Sequence, residues 1–456
     1  MTLNLEKLFN PKSVAVIGAS QKRNTVGYGL FKNLVFGCVH SCAYCRPFRG
    51  KIFPVNPNVG SIFGLKSYKS VLDIKGAVDL AVIAVRAAIV PEIVNQCVKK
   101  KVGSIIIISA GFGELSVQGK KMEDEISGVL RRAGIPMLGP NCLGIIRTAN
   151  NLNASFAPAA PPAGKVAFIS QSGALVDSII DWSIEGRYGF SAIVSYGNKA
   201  MLDADDFLTY FDRDKNTRVI ALYIEGVNDG RKFIRTAQKI KKPIIVLKAG
   251  RSEQGMKAVG SHTGTLAGKY DVYKAAFKQS GILIAETIEE LFDSAKALAN
   301  LPKLKGEVGI VTNGGGCGVL CADYCSELGV PLVKIKESTL KKLDKSGKMY
   351  LAYSRANPLD LVGDALAERY ETAIDILLSE KYIGGLIVIQ TLQSNTESEK
   401  DALAVIGARK KYPDKPVVCV YMGGKFSRKA IDLLEKAGIP NYNDLKKAAL
   451  AMKALL

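Results

Sequence analysis

Two histidines occur among 456 residues, and one of them, His262, sits in the run AVGSHTGTLAG at 258–268. Gly260, Ser261, Thr263 and Gly264 surround it with small groups that leave space and supply hydroxyl and main-chain donors. An imidazole with room around it is a nucleophile near neutral pH, able to take a phosphoryl group and release it again. Taken alone, the run reads first as a histidine that merely caps a loop. The other histidine, His40, lies in GCVHSCAYCRPFRG at 37–50, where Cys38, Cys42 and Cys45 have C-x3-C-x2-C spacing. Thiolates so spaced can hold an iron–sulfur cluster or, with the imidazole, zinc, in a structural or regulatory centre. Cys317, Cys321 and Cys325 recur every four residues in a helical pattern and read as packed core thiols.

Chemistry of this kind needs elements that hold it in place. SVAVIGAS at 13–20 reads as a strand, a tight turn at Gly18 and the start of a helix, and further strands follow at 51–56, 77–85 and 103–111. Alternation of strands and helices predicts a parallel sheet with helices on both faces. After the Pro- and Ala-rich seam FAPAAPPAGK at 156–165 the pattern restarts with KVAFISQSGAL, and a third round opens at VGIVTNGGGCGVL, 308–320. The expected domains are 1–155, 160–300 and 305–456. In each, the first strand enters a small-residue turn and then a helix, which presents main-chain N–H groups and a positive dipole end to an anion. Taken singly, such a turn is also explained by the tight geometry or an N-cap from Ser170 or Ser172.

Composition narrows the classes. A 48% hydrophobic and 23% charged chain is that of a globular protein, and no apolar run is long enough to span a bilayer. The net charge of +20 favours an acidic partner, a polyphosphate or nucleic acid, but the basic residues are scattered and no nucleic-acid-binding signature is present. No nucleic acid and no membrane are expected as partners. The N-terminus lacks a signal core, so a cytoplasmic location is expected, and with it nine cysteines free of disulfides.

VAVIGAS, PVNP, SAGFGE, LGPNCLG, ISQSGAL, YIEG, KAGRSEQG and SHTGTLAG, with NGGGCGV and NPLDLVGDA further on, resemble the α subunit of ADP-forming acetyl-CoA synthetase. That family belongs to the NDP-forming acyl-CoA synthetases, with succinyl-CoA synthetase as another member. The resemblance implies an α/β fold: an N-terminal Rossmann-type CoA-binding domain followed by two flavodoxin-like doubly wound domains. It implies that His262 is phosphorylated in turnover, that Glu225 hydrogen-bonds its ring, and that Ser172, Gly173, Gly260 and Gly264 hold the phosphate. Gly18, Ala19, Ser20 and Lys22 would face the CoA phosphates, Val55, Asn56 and Pro57 the adenine end, and Ser109, Ala110 and Gly111 the same sheet edge. A nicotinamide enzyme would end its second strand in an acidic residue, and KIFPVNPN has none.

The same resemblance implies an acyl phosphate intermediate, a small carboxylic acid and CoA as substrates, and ADP or ATP with Mg on a separate ATP-grasp β subunit, in an α2β2 heterotetramer. No Walker sequence is found in this chain. Acetate is the expected acid. Residues 37–50 look like an insertion relative to the family pattern, and the cysteine centre is expected near the CoA entrance. The competing readings are a non-catalytic CoA-binding or sensing protein of the same fold and half of a lysine acetyltransferase; the latter needs a further domain that the sequence does not include.

Overall fold

Short, continuously apolar runs that end in Gly, Ala or Ser form strands buried on both faces, as a helix-covered parallel sheet requires. The computed structural model describes residues 3–263 and 269–456, with 261–263 described in their backbone only. The chain divides into two compact units, one ending at Glu286 and the other beginning at Thr287.

In the first unit, β1 (Ser13–Ile17), β2 (Lys51–Val55), the small hairpin β3 (Ser61–Ile62) and β4 (Leu65–Lys66), β5 (Leu80–Ile83), β6 (Ser104–Ile107) and β7 (Met137–Leu138) follow one another. The sheet order is β2-β1-β5-β6-β7, all parallel. The order in which strands are added reverses between β1 and β5, the place in such a sheet where the carboxyl ends open a crevice. The helix Val26–Phe36 that follows β1 is capped by Thr25, whose hydroxyl accepts from Tyr28 N–H at 3.3 Å. It lies close to the turn, because a Cβ on Gly27 would stand 1.9 Å from the Gly18 carbonyl oxygen.

A second sheet holds β8 (Gly144–Arg147), β9 (Leu152–Ser155), β10 (Ala163–Ser170), β11 (Phe190–Ser195), β12 (Val219–Ile224), β13 (Ile244–Lys248) and β14 (Leu283–Ala285), in the order β14-β13-β12-β10-β11-β8-β9. Its five later strands are parallel, whereas β8 and β9 form a hairpin that runs antiparallel along β11. This hairpin lies ahead of the Pro-rich seam, so the second sheet takes in residues that precede the seam. Arg147 fixes it: both guanidinium arms reach Asp214, at 2.8 and 2.6 Å, in a pair almost wholly shielded from solvent. Burial by itself would raise the Asp214 pKa, but the Arg147 and Thr217 hydrogen bonds lower it. The two sheets share apolar packing, with Phe9 seated against Phe207, Tyr210 and Phe211. A fully buried ring of this kind contributes about 1.5–3 kcal/mol.

The second unit carries β15 (Glu307–Thr312), β16 (Leu359–Asp360), β17 (Ile383–Gln390) and β18 (Val417–Tyr421) in the parallel order β16-β15-β17-β18. Helix Gly315–Leu328 buries Cys321 and Cys325 and leaves Cys317 half-buried. Among the described residues, no helix is long and apolar enough to cross a membrane.

One expectation fails. Cys38 and Cys45 form a disulfide, where none was expected from the cysteine usage; proximity in the folded loop, which spacing does not reveal, brings them together. The cysteine loop leads from the end of the Val26–Phe36 helix into Lys51, the first residue of β2, and so lies at the amino edge of the first sheet. The turns after β1, β2 and β6 lie at the opposite, carboxyl edge.

Candidate functional site

At the carboxyl edge of the first sheet, three turns converge. Gly18 adopts φ +93°, and a Cβ there would meet the Ala84 carbonyl oxygen at 2.4 Å, so a side chain is excluded on both counts. Its N–H donates to the Val55 carbonyl at 3.0 Å, and Asn56 Nδ2 donates to the Ala19 carbonyl at 2.9 Å, tying the first turn to the second. The side chains of Ala19 and Val55 face the core, whereas Lys22 is exposed; Ser20 Oγ accepts from Lys22 N–H at 3.0 Å, and Pro57 follows Asn56 at the surface. In the turn after β6, Ser109 Oγ donates to the Val85 carbonyl at 2.5 Å, and Ala110 leads to Gly111 at φ +104°.

Glu114 organises this last turn. Its carboxylate accepts from Gly111 N–H at 2.5 Å, Phe112 N–H at 3.2 Å and Asn198 Nδ2 at 2.5 Å. Burial opposes ionisation, yet these donors together hold its pKa below the usual range. Asn198 also donates to Glu123 at 2.9 Å and accepts from Asn141 at 3.2 Å, so one amide joins the turn after β6, the GPN segment and the segment after β11. Nothing in SYGNKA marks Asn198 for this part; only its place just past an apolar strand hints at it. Cys142, beside Asn141, is buried with Sγ 3.3 Å from the Ile107 carbonyl, and burial pushes its thiol up to about 12. It is no nucleophile in this state.

In the second sheet the strand order switches between β10 and β12, and there the SQSG turn meets Glu225. Ser172 caps helix Gly173–Gly186, its hydroxyl accepting from Leu175 N–H at 3.3 Å, while its own N–H donates to Ser170 Oγ at 3.1 Å. Gln171 Oε1 accepts from the N–H groups of both Glu225 and Gly226, the latter at 3.0 Å. Glu225 follows β12 directly and is buried. Across from it, at the end of β13, Lys248 is also buried; its Nζ lies 4.6 Å from the Tyr273 ring centroid and donates to the Ala249 carbonyl. Burial pulls the Lys248 pKa down to about 8 against the opposing pull of Glu225. Tyr196 OH, buried at the end of β11, has no hydrogen-bond partner among the described residues. Gln171, Lys248 and Tyr196 are absent from the sequence-based candidates; a Lys that ends the apolar strand IIVLK was the available signal for the second.

Helix Glu253–Thr263 takes up Gly260 and the backbone of His262. The His262 side chain and Gly264 lie outside the described residues. The structure thus joins Ser172 and Gly173 to Glu225 through Gln171, and gathers Gly18, Ala19, Ser20, Lys22, Val55, Asn56, Pro57, Ser109, Ala110 and Gly111 at one edge of another sheet. Cys38, Cys42 and Cys45 cluster apart from both, with all three sulfurs within 4.8 Å of one another and without the His40 ring.

The sequence matches three domain families: a CoA binding domain over 12–148, a succinyl-CoA ligase like flavodoxin domain over 163–298, and a ligase-CoA domain over 308–454. It is 44% identical to the α subunit of acetate–CoA ligase (ADP-forming) I of Pyrococcus furiosus, over 99% of this chain and 97% of that one. The chain belongs to the ADP-forming acetate–CoA ligase family. Another member, acetate–CoA ligase (ADP-forming) I of Archaeoglobus fulgidus, is 43% identical over 99% of this chain, which spans 63% of that longer relative. A solved structure of the same family, the acetyl-coenzyme A synthetase 1 of Ca. Korarchaeum cryptofilum in complex with phosphate and ADP, superposes with a TM-score of 0.92 at 38% identity, covering 99% of this chain and 96% of that one. The α/β architecture of CoA-binding and flavodoxin-like domains is therefore that of the acetate–CoA ligases.

Proposed function

We propose that this chain is the α subunit of a cytoplasmic ADP-forming acetyl-CoA synthetase, interconverting acyl-CoA, ADP and phosphate with the free acid, CoA and ATP. The observation that carries the reading is the Gln171 bridge, which locks the SQSG turn and Glu225 together at the switch point of a flavodoxin-like sheet. Residues 1–155 bind CoA, with the phosphates at Gly18, Ala19, Ser20 and Lys22 and the adenine end at Val55, Asn56 and Pro57; Ser109, Ala110 and Gly111 complete that edge. Residues 160–300 carry the phosphoryl chemistry, and 305–456 form a second flavodoxin-like domain.

Phosphate oxygen attacks the thioester carbon, and the CoA thiolate leaves, giving an acyl phosphate. The His262 imidazole then attacks phosphorus and releases the carboxylate. A β-phosphate oxygen of ADP, held with Mg on an ATP-grasp β subunit in an α2β2 assembly, takes the group and restores the histidine. Glu225 accepts a hydrogen bond from the other ring nitrogen and so fixes the tautomer that attacks. Ser172 and Gly173 at the helix start, with Gly260 and Gly264, hold the phosphoryl oxygens.

Incubation with acetyl-CoA and radiolabelled phosphate tests this. The expected product is an acid-labile, base-stable label on the chain, absent from His262→Ala and discharged by ADP with the partner subunit. A chain that binds CoA but takes up no label, even with the partner present, is a sensor and not a synthetase subunit.

A further inference from the structure

None of the residues assigned above to CoA or to phosphate lies in the loop 37–50, yet it is built around sulfur. Gly37 closes the Val26–Phe36 helix at φ +93°, and a Cβ there would stand 2.4 Å from Arg46 N, so the far end of the loop folds back onto the helix end. The 42–45 segment is a turn in which Cys45 N–H donates to the Cys42 carbonyl at 3.2 Å and Cys42 N–H donates to Cys45 Sγ at 3.1 Å. His40 N–H holds the Pro158 carbonyl at 2.8 Å, and Cys42 Sγ lies 3.6 Å from the Ala160 carbonyl. The loop is therefore anchored at both ends and along its length.

Cys42 Sγ lies 3.1 Å from Cys45 Sγ and 4.0 Å from Cys38 Sγ, while Cys38 and Cys45 are joined. A structural disulfide needs two cysteines, and core packing explains only Cys38, since Cys42 and Cys45 are half-exposed. The third sulfur and the amide aimed at Cys45 Sγ remain unexplained by either role. Three cysteine sulfurs gathered within 4.8 Å of one another are, once reduced, a ligand set for a soft cation. Four-coordinate zinc with bonds of about 2.3 Å places its sulfurs about 3.8 Å apart. That separation falls inside the 4.8 Å within which these three sulfurs lie. An iron–sulfur cubane, whose ligated irons are themselves separated, needs its cysteines spread wider.

We propose that Cys38, Cys42 and Cys45 form a redox-gated site for a single thiophilic divalent ion of the zinc class, with three thiolates bound and the fourth position open. A dithiol reductant delivers two electrons and two protons, breaking the Cys38–Cys45 bond to two thiols as the reductant closes to its own disulfide. The ion then displaces three thiol protons, one from each cysteine. Reoxidation by a disulfide-class oxidant withdraws two of the three ligands and expels the ion.

The test uses the full chain, reduced anaerobically with dithiothreitol, mixed with zinc chloride and desalted. About one zinc per chain is expected by elemental analysis. Cys42→Ser and Cys45→Ser should each lose that zinc with unchanged circular dichroism, and Cys317→Ser should keep it. Diamide should release the zinc while peptide mapping recovers a Cys38–Cys45 crosslink. A reduced chain whose loop thiols all react with a thiol reagent but which retains no zinc overturns the proposal. So does a chain that takes up iron and acid-labile sulfide in place of zinc, with visible charge-transfer absorption. Because the readout is metal content, neither outcome bears on the synthetase reading.

Discussion

At the scale of single residues, the least conspicuous neighbour of the candidate phosphoryl site is the most informative. Lys248 is a buried cation beside a ring face, a carbonyl and the Glu225 side, and burial has drawn its pKa from an ordinary 10.5 to about 8. A cation kept dry beside a carboxylate attracts a phosphoryl group far better than one in water. Lys248→Met is therefore expected to slow phosphohistidine formation tenfold or more, read by rapid-quench labelling, with CoA affinity unchanged. The same residue has a thermodynamic signature. Between about pH 8 and 10.5 the unfolded chain binds more protons than the folded one, so stability rises with pH across that window. The gain is at most about 3 kcal/mol, and denaturant titrations of Lys248→Met should lack it.

At the scale of elements, close backbone approach and one buried ion pair do the positioning. The helix after β1 can approach the Gly18 turn only because position 27 lacks a side chain. Gly27→Ala should cost about 1–3 kcal/mol in thermal melts and weaken CoA binding by moving the turn. Asp214→Ala leaves Arg147 buried and unpaired, at a cost of about 3–5 kcal/mol. Since the Asp214 carboxyl is held below its ordinary value, the pair's contribution is present near neutrality and is lost as pH falls through that depressed value; an acid titration of stability should show the variant losing less. Much at this scale was legible in the sequence. VAVIG, VAFIS and VGIVT are apolar runs stopped by small residues, and each became the first strand of a run of parallel strands. The β8–β9 hairpin was not legible, because GIIR and LNAS are four residues long, too short to show a period, and their pairing partner lies across the proline seam. Asn198 and the Cys38–Cys45 bond escaped for a related reason: what they do depends on residues the fold brings near, and spacing is silent on that.

At the scale of the whole molecule, the two sheets of the first unit share one apolar cluster, running from Leu5 and Phe9 through Phe207 to Phe277. Three sheets should therefore give two calorimetric transitions and not three, with the piece from Thr287 onward reproducing one of them in isolation. A separate transition for residues 1–143 would contradict the shared core. The hairpin that precedes the seam has one more effect. Without it, β11, the wholly buried FSAIVS, would be an open rim of the second sheet, ready to pair with the same rim of another copy. Residues 144–155 leave the ribosome before 190–195, so the guard strands already exist when the aggregation-prone one emerges, and a newborn chain never has to present that rim bare.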